Sequence, residues 1–202
     1  MGYSQTYLAV LGKSREAILS DLALRPTGER QDFPEGAVVA TLLPSGWFLV
    51  VADYNGQELI SEAAGPLSAG CEVVSGVAEE HVMVSEAAGW RNGQRLWRVI
   101  HDTQRKEGHL EAEGELPPAF EEIRDRLVAL QHPNDGSRAN CDYIFDIPVD
   151  LVLSLTGYRY DKETPGLAEG AFEVLEANPG AAPKSAPKAP AQKSFFQRIF
   201  GK

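Results

Sequence analysis

The sequence predicts an α+β fold: a mainly antiparallel sheet of hairpins with helices packed on one face, followed by a disordered C-terminal tail. Three observations carry this. Short runs of strand-forming residues are separated by turn residues, and Asn92-Gly93 between two such runs is the strongest hairpin signal in the chain. Apolar residues at helical spacing occur in only a few segments. Past Tyr160 the large side chains thin out into an Ala/Pro/Lys stretch that offers little to offset the entropy of ordering.

Residues 3–11 alternate as a first strand, and Ser14 then caps a helix over about 14–24 that presents Ile18, Leu19 and Leu22. Arg25-Pro-Thr-Gly28 and Asp32-Phe-Pro-Glu-Gly36 read as turn chemistry around a polar loop. Residues 37–43 and 47–52 flank Pro44-Ser-Gly46 as a hairpin whose arms are apolar on both faces, which places them centrally in a sheet. Residues 58–69 have helical spacing that Gly65-Pro66 should bend or divide.

Residues 71–78 read as a strand, followed by a hairpin of 81–90 and 95–102. A two-residue turn at Asn92-Gly93 would oppose Ala88 to Trp97, Glu86 to Val99 and Val84 to His101. Residues 109–113 alternate as a half-exposed strand, and Leu116-Pro-Pro118 opens a helix to 131 with Phe120, Ile123, Leu127 and Leu130 on one stripe. His132 to Asn140 reads as a loop. Tyr143-Ile-Phe145 looks strand-like, with Asp146 as the cap of a helix ending at Gly157. The expected core comprises Leu8, Val10, Ile18, Leu22, Val39, Leu49, Val51, Ile123, Leu127 and Leu151.

The division that follows is a single globular domain over 1–162, a disordered Ala/Pro/Lys-rich linker over 163–192, and an amphipathic basic and aromatic docking segment over 193–202. Of the formal net charge of −10, residues 177–202 contribute +5 and residues 1–176 contribute −15. An acidic body repels phosphate backbones, so nucleic acid is not an expected partner, whereas a cationic protein surface is. Two distant cysteines, Cys71 and Cys141, argue against a disulfide framework and for a reducing, cytoplasmic setting. No run approaches the ~20 apolar residues of a membrane span, and no charged-then-apolar leader pattern opens the chain.

Candidate chemistry centres on the histidines. His101, Asp102 and His109 fall at the base of one hairpin, where two imidazoles and a carboxylate could meet a metal, and Glu79, Glu80 and His81 form a second polar cluster. Neither spacing is diagnostic, and solvated turns explain both. Asp142, Asp146 and Asp150 are spaced by four, but Pro148 argues against one continuous helix carrying all three. There is no phosphate-cradling Gly-rich loop, no Gly-x-Ser-x-Gly elbow, and no cysteine signature for a nucleophile. No catalytic residue, cofactor or metal is therefore expected. In the tail, Phe195, Phe196, Ile199 and Phe200 would form one apolar stripe of a short helix edged by Arg198, a partner-binding pattern that would fold only against another surface.

The segments Gly46-Trp-Phe-Leu-Val-Val-Ala52, Leu67-Ser-Ala-Gly-Cys-Glu-Val-Val74, Glu79-Glu-His-Val-Met83, and Asp146-Ile-Pro-Val-Asp-Leu through Leu155-Thr-Gly-Tyr158 resemble small bacterial proteins of uncharacterised function. In its acidic character and lack of catalytic motifs the chain is also similar in style to immunity-type proteins. That likeness implies a non-catalytic protein-interaction module of a bacterial cytoplasm. Two alternatives remain open: a ligand-binding or enzymatic pocket near His81, His101 and His109, and an adaptor recruited to a partner or membrane through its tail.

Overall fold

A computed structural model describes residues 2–106, 108–131 and 141–184. The described residues build one nine-stranded sheet, antiparallel throughout, from β1 (Ser4–Leu11), β2 (Leu24–Gln31), β3 (Val38–Leu42), β4 (Phe48–Asp53), β5 (Glu72–Glu79), β6 (Val84–Arg91), β7 (Gln94–Asp102), β8 (Glu111–Gly114) and β9 (Phe172–Ala177). Their spatial order is β2-β9-β3-β4-β1-β5-β6-β7-β8. Among the described residues four α-helices accompany it: α1 (Arg15–Asp21), α2 (Ala64–Leu67), α3 (Phe120–Gln131) and α4 (Asp146–Thr156). The α+β class read from the sequence is the class observed.

Strand alternation sorts side chains to two cores. Tyr7, Val39, Leu49 and Val51 meet α3 and α4 through Phe120, Ile123, Leu127 and Leu151 on one face, while Leu8, Val10, Val38 and Val50 meet α1 and α2 through Ile18, Leu22 and Leu67 on the other. All ten expected core residues are buried. The two longer helices share one face, and the short α1 and α2 cover the central strands from behind, so helices lie on both faces of the sheet and not on one as expected. The central hairpin arms β3 and β4 are apolar on both sides because both sides are covered.

The largest correction lies beyond residue 162. The segment expected to be a disordered linker contributes β9, which inserts between β2 and β3. Phe172 and Val174 face the α3/α4 core and Leu175 the α1 core, while Glu173 on that second side binds the Arg15 guanidinium at 2.7 Å. A strand whose polar positions are ion-paired has little apolar excess in its composition. Residues 185–192 of that linker, the loop 132–140 and the docking segment 193–202 lie outside the described residues.

β2 is the second correction: the Arg25-Pro-Thr-Gly28 stretch is an edge strand rather than a loop. Among the described residues it pairs only with β9, and its register shifts between Pro26 and Arg30, where Gly28 takes φ +94°. Proline and a bulge are compatible with a sheet edge, where one row of backbone groups needs no partner.

The β6–β7 hairpin turns at Asn92 (φ +51°) and Gly93 (φ +80°) as expected. Its register, however, slips by one residue at Leu96, so that Gly89, not Ala88, opposes Trp97, and Val84 opposes Asp102. The slip seats the Trp97 indole over Gly89, where an added Cβ would lie 2.1 Å from Nε1. Gly76 admits the Tyr7 ring opposite it in the same way.

The start of α4 also differs from expectation. Residues 143–145 turn directly into α4, and Phe145 already has helical φ/ψ. The turn is held by Asp142 Oδ1, which accepts the N–H groups of Ile144 and Phe145, so Asp146 does not act as the cap. Pro148 and Pro66 each fall in the first turn of a helix, where a missing N–H has no intrahelical acceptor to lose. At the other end of α4, Gly157 closes the helix at φ +81°.

If β9 is an integral strand, Phe172→Ala should cost about 3–5 kcal/mol, the usual range for a buried phenylalanine. Urea unfolding measures it; a change under about 0.5 kcal/mol would show that the strand adds nothing to the core.

Candidate functional site

Where the chain leaves α4 it runs past the start of β1, and alternate side chains go to opposite tasks. Tyr158 and Tyr160 turn towards the sheet. The Tyr158 hydroxyl donates to Gln5 at 3.0 Å, and that of Tyr160 donates to Glu80 Oε1 at 2.6 Å. The other oxygen of Glu80 accepts the backbone N–H of Tyr3 at 2.9 Å, and the Tyr3 ring lies edge-on to Tyr160 with centroids 5.8 Å apart. Burial pushes both buried phenols well above their ordinary pKa, with Tyr158 raised further by Tyr7 and Tyr160 by its bond to Glu80, so they remain neutral donors.

Arg159, between them, points back at α4. Only 8% of its side chain is exposed, and it binds Asp146 at 2.7 Å, Asp161 at 2.6 Å, and Asp150. Asp146 and Asp150, one turn apart on α4, thus share one guanidinium, and Arg126 of α3 binds Asp150 at 2.7 Å. Burial disfavours the charge on Arg159, but the carboxylates outweigh it and hold its pKa above the ordinary value. At Asp146 the balance is opposite: burial prevails over the attraction of a shared cation, and its pKa is raised.

The chain then makes a wall. Asp32 accepts the N–H of Gly170 at 2.6 Å, and Arg30 donates to the Gly170 and Ala171 carbonyls, tying the β2–β3 connection to the approach of β9. Between this wall, residues 158–164 and the start of β1 lies a cleft of about 530 Å³. Tyr158, Tyr160 and Phe172 form its buried floor, and Tyr3 and Phe33, 53% and 52% exposed, stand at its rim. Asp32, Glu35, Asp161, Glu163 and Glu169 line it, against a single cation, Lys162. Aromatic faces beside carboxylates suit a cationic group with an apolar stem.

The histidines are placed elsewhere and differently. His81 is exposed and meets Glu79 at 2.7 Å. His101 and His109 do come together, but as a structural turn: His101 Nδ1 donates to the His109 carbonyl at 2.7 Å, and Asp102 N–H donates to His109 Nδ1 at 3.1 Å. His101 is wholly buried, and its Nε2 faces the Asp142 carboxylate at 3.1 Å without hydrogen-bond alignment. A ring with no exposure meets no substrate, so this pair staples β7 to the turn before α4. His132 lies outside the described residues. Glu111 and Glu113, on β8, are held by Arg105 and Arg95. Among the described residues no group of three or more His, Cys, Asp or Glu is arranged to hold a metal ion, Cys71 and Cys141 are free thiols, and no helix is long and apolar enough to cross a membrane.

Comparison with protein-family models, curated proteins and solved structures yields no match. The geometry of the cleft is therefore the basis for a functional reading. Sequence reasoning missed Arg159 and the cleft acids because the cleft draws on three separated segments; the Tyr-Arg-Tyr triplet 158–160, just past a helix-ending glycine, was the available signal.

The His101–Asp142 staple has a pH signature. Burial raises the Asp142 pKa, but His101 and the Ile144 and Phe145 N–H groups outweigh it, leaving the folded value below the ordinary carboxylate range. A lowered folded pKa gives stability that is fully present above the unfolded value of ~3.9 and is lost as pH falls through the folded one. Asp142→Asn should therefore destabilise by about 1–3 kcal/mol at pH 7, with the deficit shrinking below about pH 4. Urea unfolding across pH checks this; an equal deficit at pH 3 and 7 would exclude a role for the charge.

Proposed function

We propose that this protein is a non-catalytic interaction module of a bacterial cytoplasm, of the inhibitor or immunity type, that binds a cationic and partly apolar segment of a protein partner in the cleft between β1, residues 32–35 and residues 158–169. The observation that carries the reading is the combination of two half-exposed rim aromatics, Tyr3 and Phe33, with five carboxylates and one lysine. Aromatic anchors supply contact area at low entropic cost, and the acidic rim selects and steers a basic partner. The net −15 of residues 1–176 extends the same steering field beyond the cleft. Two free cysteines, one of them exposed, fit a reducing compartment.

The test is a titration of the full chain with a synthetic Lys/Phe peptide and with its Glu/Phe counterpart, followed by backbone amide NMR. The basic peptide should shift amides of residues 32–35 and 161–169, and the acidic one should not. The charge reversals Glu35→Lys, Glu163→Lys and Glu169→Lys together should weaken binding roughly tenfold, three exposed charges each being worth up to about 1 kcal/mol. Shifts spread evenly over the acidic surface, or unchanged affinity in the triple variant, would remove the cleft as the binding site.

A further inference from the structure

The chain carries its own ligand of the class the cleft suits. Residues 193–202 contain Lys193, Arg198 and Lys202 with Phe195, Phe196, Ile199 and Phe200, and no acid. We propose that this segment occupies the cleft when no partner is bound, so that an external basic segment binds by displacing it. The inference rests on the cleft reading above and adds its regulation.

Charge complementarity is the first support: the segment belongs to the +5 end of a chain whose remaining 176 residues carry −15. The second is reach. The described chain ends at Lys184, which is fixed to Asp21 through its backbone N–H at 3.0 Å and through Nζ at 2.6 Å. Asp21 also holds Lys13 at 3.0 Å, two residues past the end of β1. The cleft opens at the other end of β1, beside Tyr3 and Gln5. Tyr3 and Lys13 lie ten residues apart, across the eight of β1 and its flanks, which is up to about 33 Å. Eleven residues lead from Lys184 to Phe195, an extended reach of about 34–40 Å. The first aromatic can therefore reach the rim of the cleft beside Tyr3 with little chain to spare, leaving the residues that follow it to enter.

The third support is the weakness of binding that suffices. A tether of this length gives an effective concentration on the order of 1 mM, so a segment with an intrinsic Kd near 0.1 mM would hold the cleft about nine-tenths occupied and would weaken an external competitor about tenfold. No strong contact is needed. A segment of the same composition on a free peptide would bind only at high concentration, which makes it displaceable by a better basic partner.

The experiment compares the full chain with a full-length variant carrying Lys193→Glu, Phe196→Ala, Arg198→Glu and Phe200→Ala, by amide NMR without ligand and then with the Lys/Phe peptide. The proposal requires that the substitutions shift amides of residues 32–35 and 161–169 while leaving β4 and β5 unmoved, and that they tighten peptide binding about tenfold. Unchanged cleft amides and unchanged affinity, with the peptide still binding, overturn self-occupancy and leave the cleft reading intact. Absence of peptide binding in both chains, with cleft amides unmoved, removes both. Anionic vesicles supply the last arm: if the segment's own amides broaden on vesicles while the cleft amides ignore its substitution, its target is a lipid surface and the proposal fails.

Discussion

The insertion of β9 between β2 and β3 is the constraint on which the rest of the structure depends. Among the described residues β2 pairs with no other strand, and without β9 the apolar β3 would be left as an open edge of the sheet. An unpaired row of backbone groups beside a buried apolar face is costly, so the chain must return after about 130 residues to fill the gap. That return makes the fold non-local: β9 joins residues from both ends of the described chain, as in the Arg15–Glu173 and Arg25–Glu176 pairs. It also dictates the path of residues 158–171, which have to cross from the end of α4 to the start of β9. The cleft is the space that this crossing leaves against β1 and the β2–β3 connection.

The crossing segment is held by buried charge rather than by apolar packing alone. Arg159 gathers Asp146, Asp150 and Asp161 where each carboxylate alone would be poorly solvated, and Glu80 fixes both Tyr3 and Tyr160 through its two oxygens. Removing one partner from such a set leaves the others buried and unpaired, which costs more than the pair itself contributes. The same arrangement keeps the tyrosine hydroxyls occupied, so the cleft offers ring faces and the carboxylates of the surrounding loops to a ligand.

Much of the sheet was legible because its signals are local. The Asn92-Gly93 turn, the Pro44-Ser-Gly46 hairpin and the Ser14 cap, whose Oγ accepts the Ala17 N–H, each act within a few residues. The core residues follow from alternation and helical spacing for the same reason. What escaped is non-local. β9 and β2 have polar faces that are satisfied by each other, by α1 and by the connections beside them, so neither shows a clear apolar pattern of its own. The one-residue slip at Leu96 depends on the fit of Trp97 over Gly89, which no turn rule contains. Asp146 looked like a helix cap because its partner, Arg159, lies thirteen residues further on. The candidate site was almost illegible for the same reason: the histidines that attract attention are spent on turns, while the cleft assembles from single residues of three distant segments.

Native-state hydrogen exchange of the full chain tests most directly whether β9 completes the sheet and so builds the cleft. The structure predicts that the hydrogen-bonded amides of Phe172–Ala177 exchange as slowly as those of β3, in one cooperative unit, because opening either strand exposes both cores. Fast, loop-like exchange over residues 172–177 beside a protected β3 and β4 would contradict it, and with it the walls of the cleft.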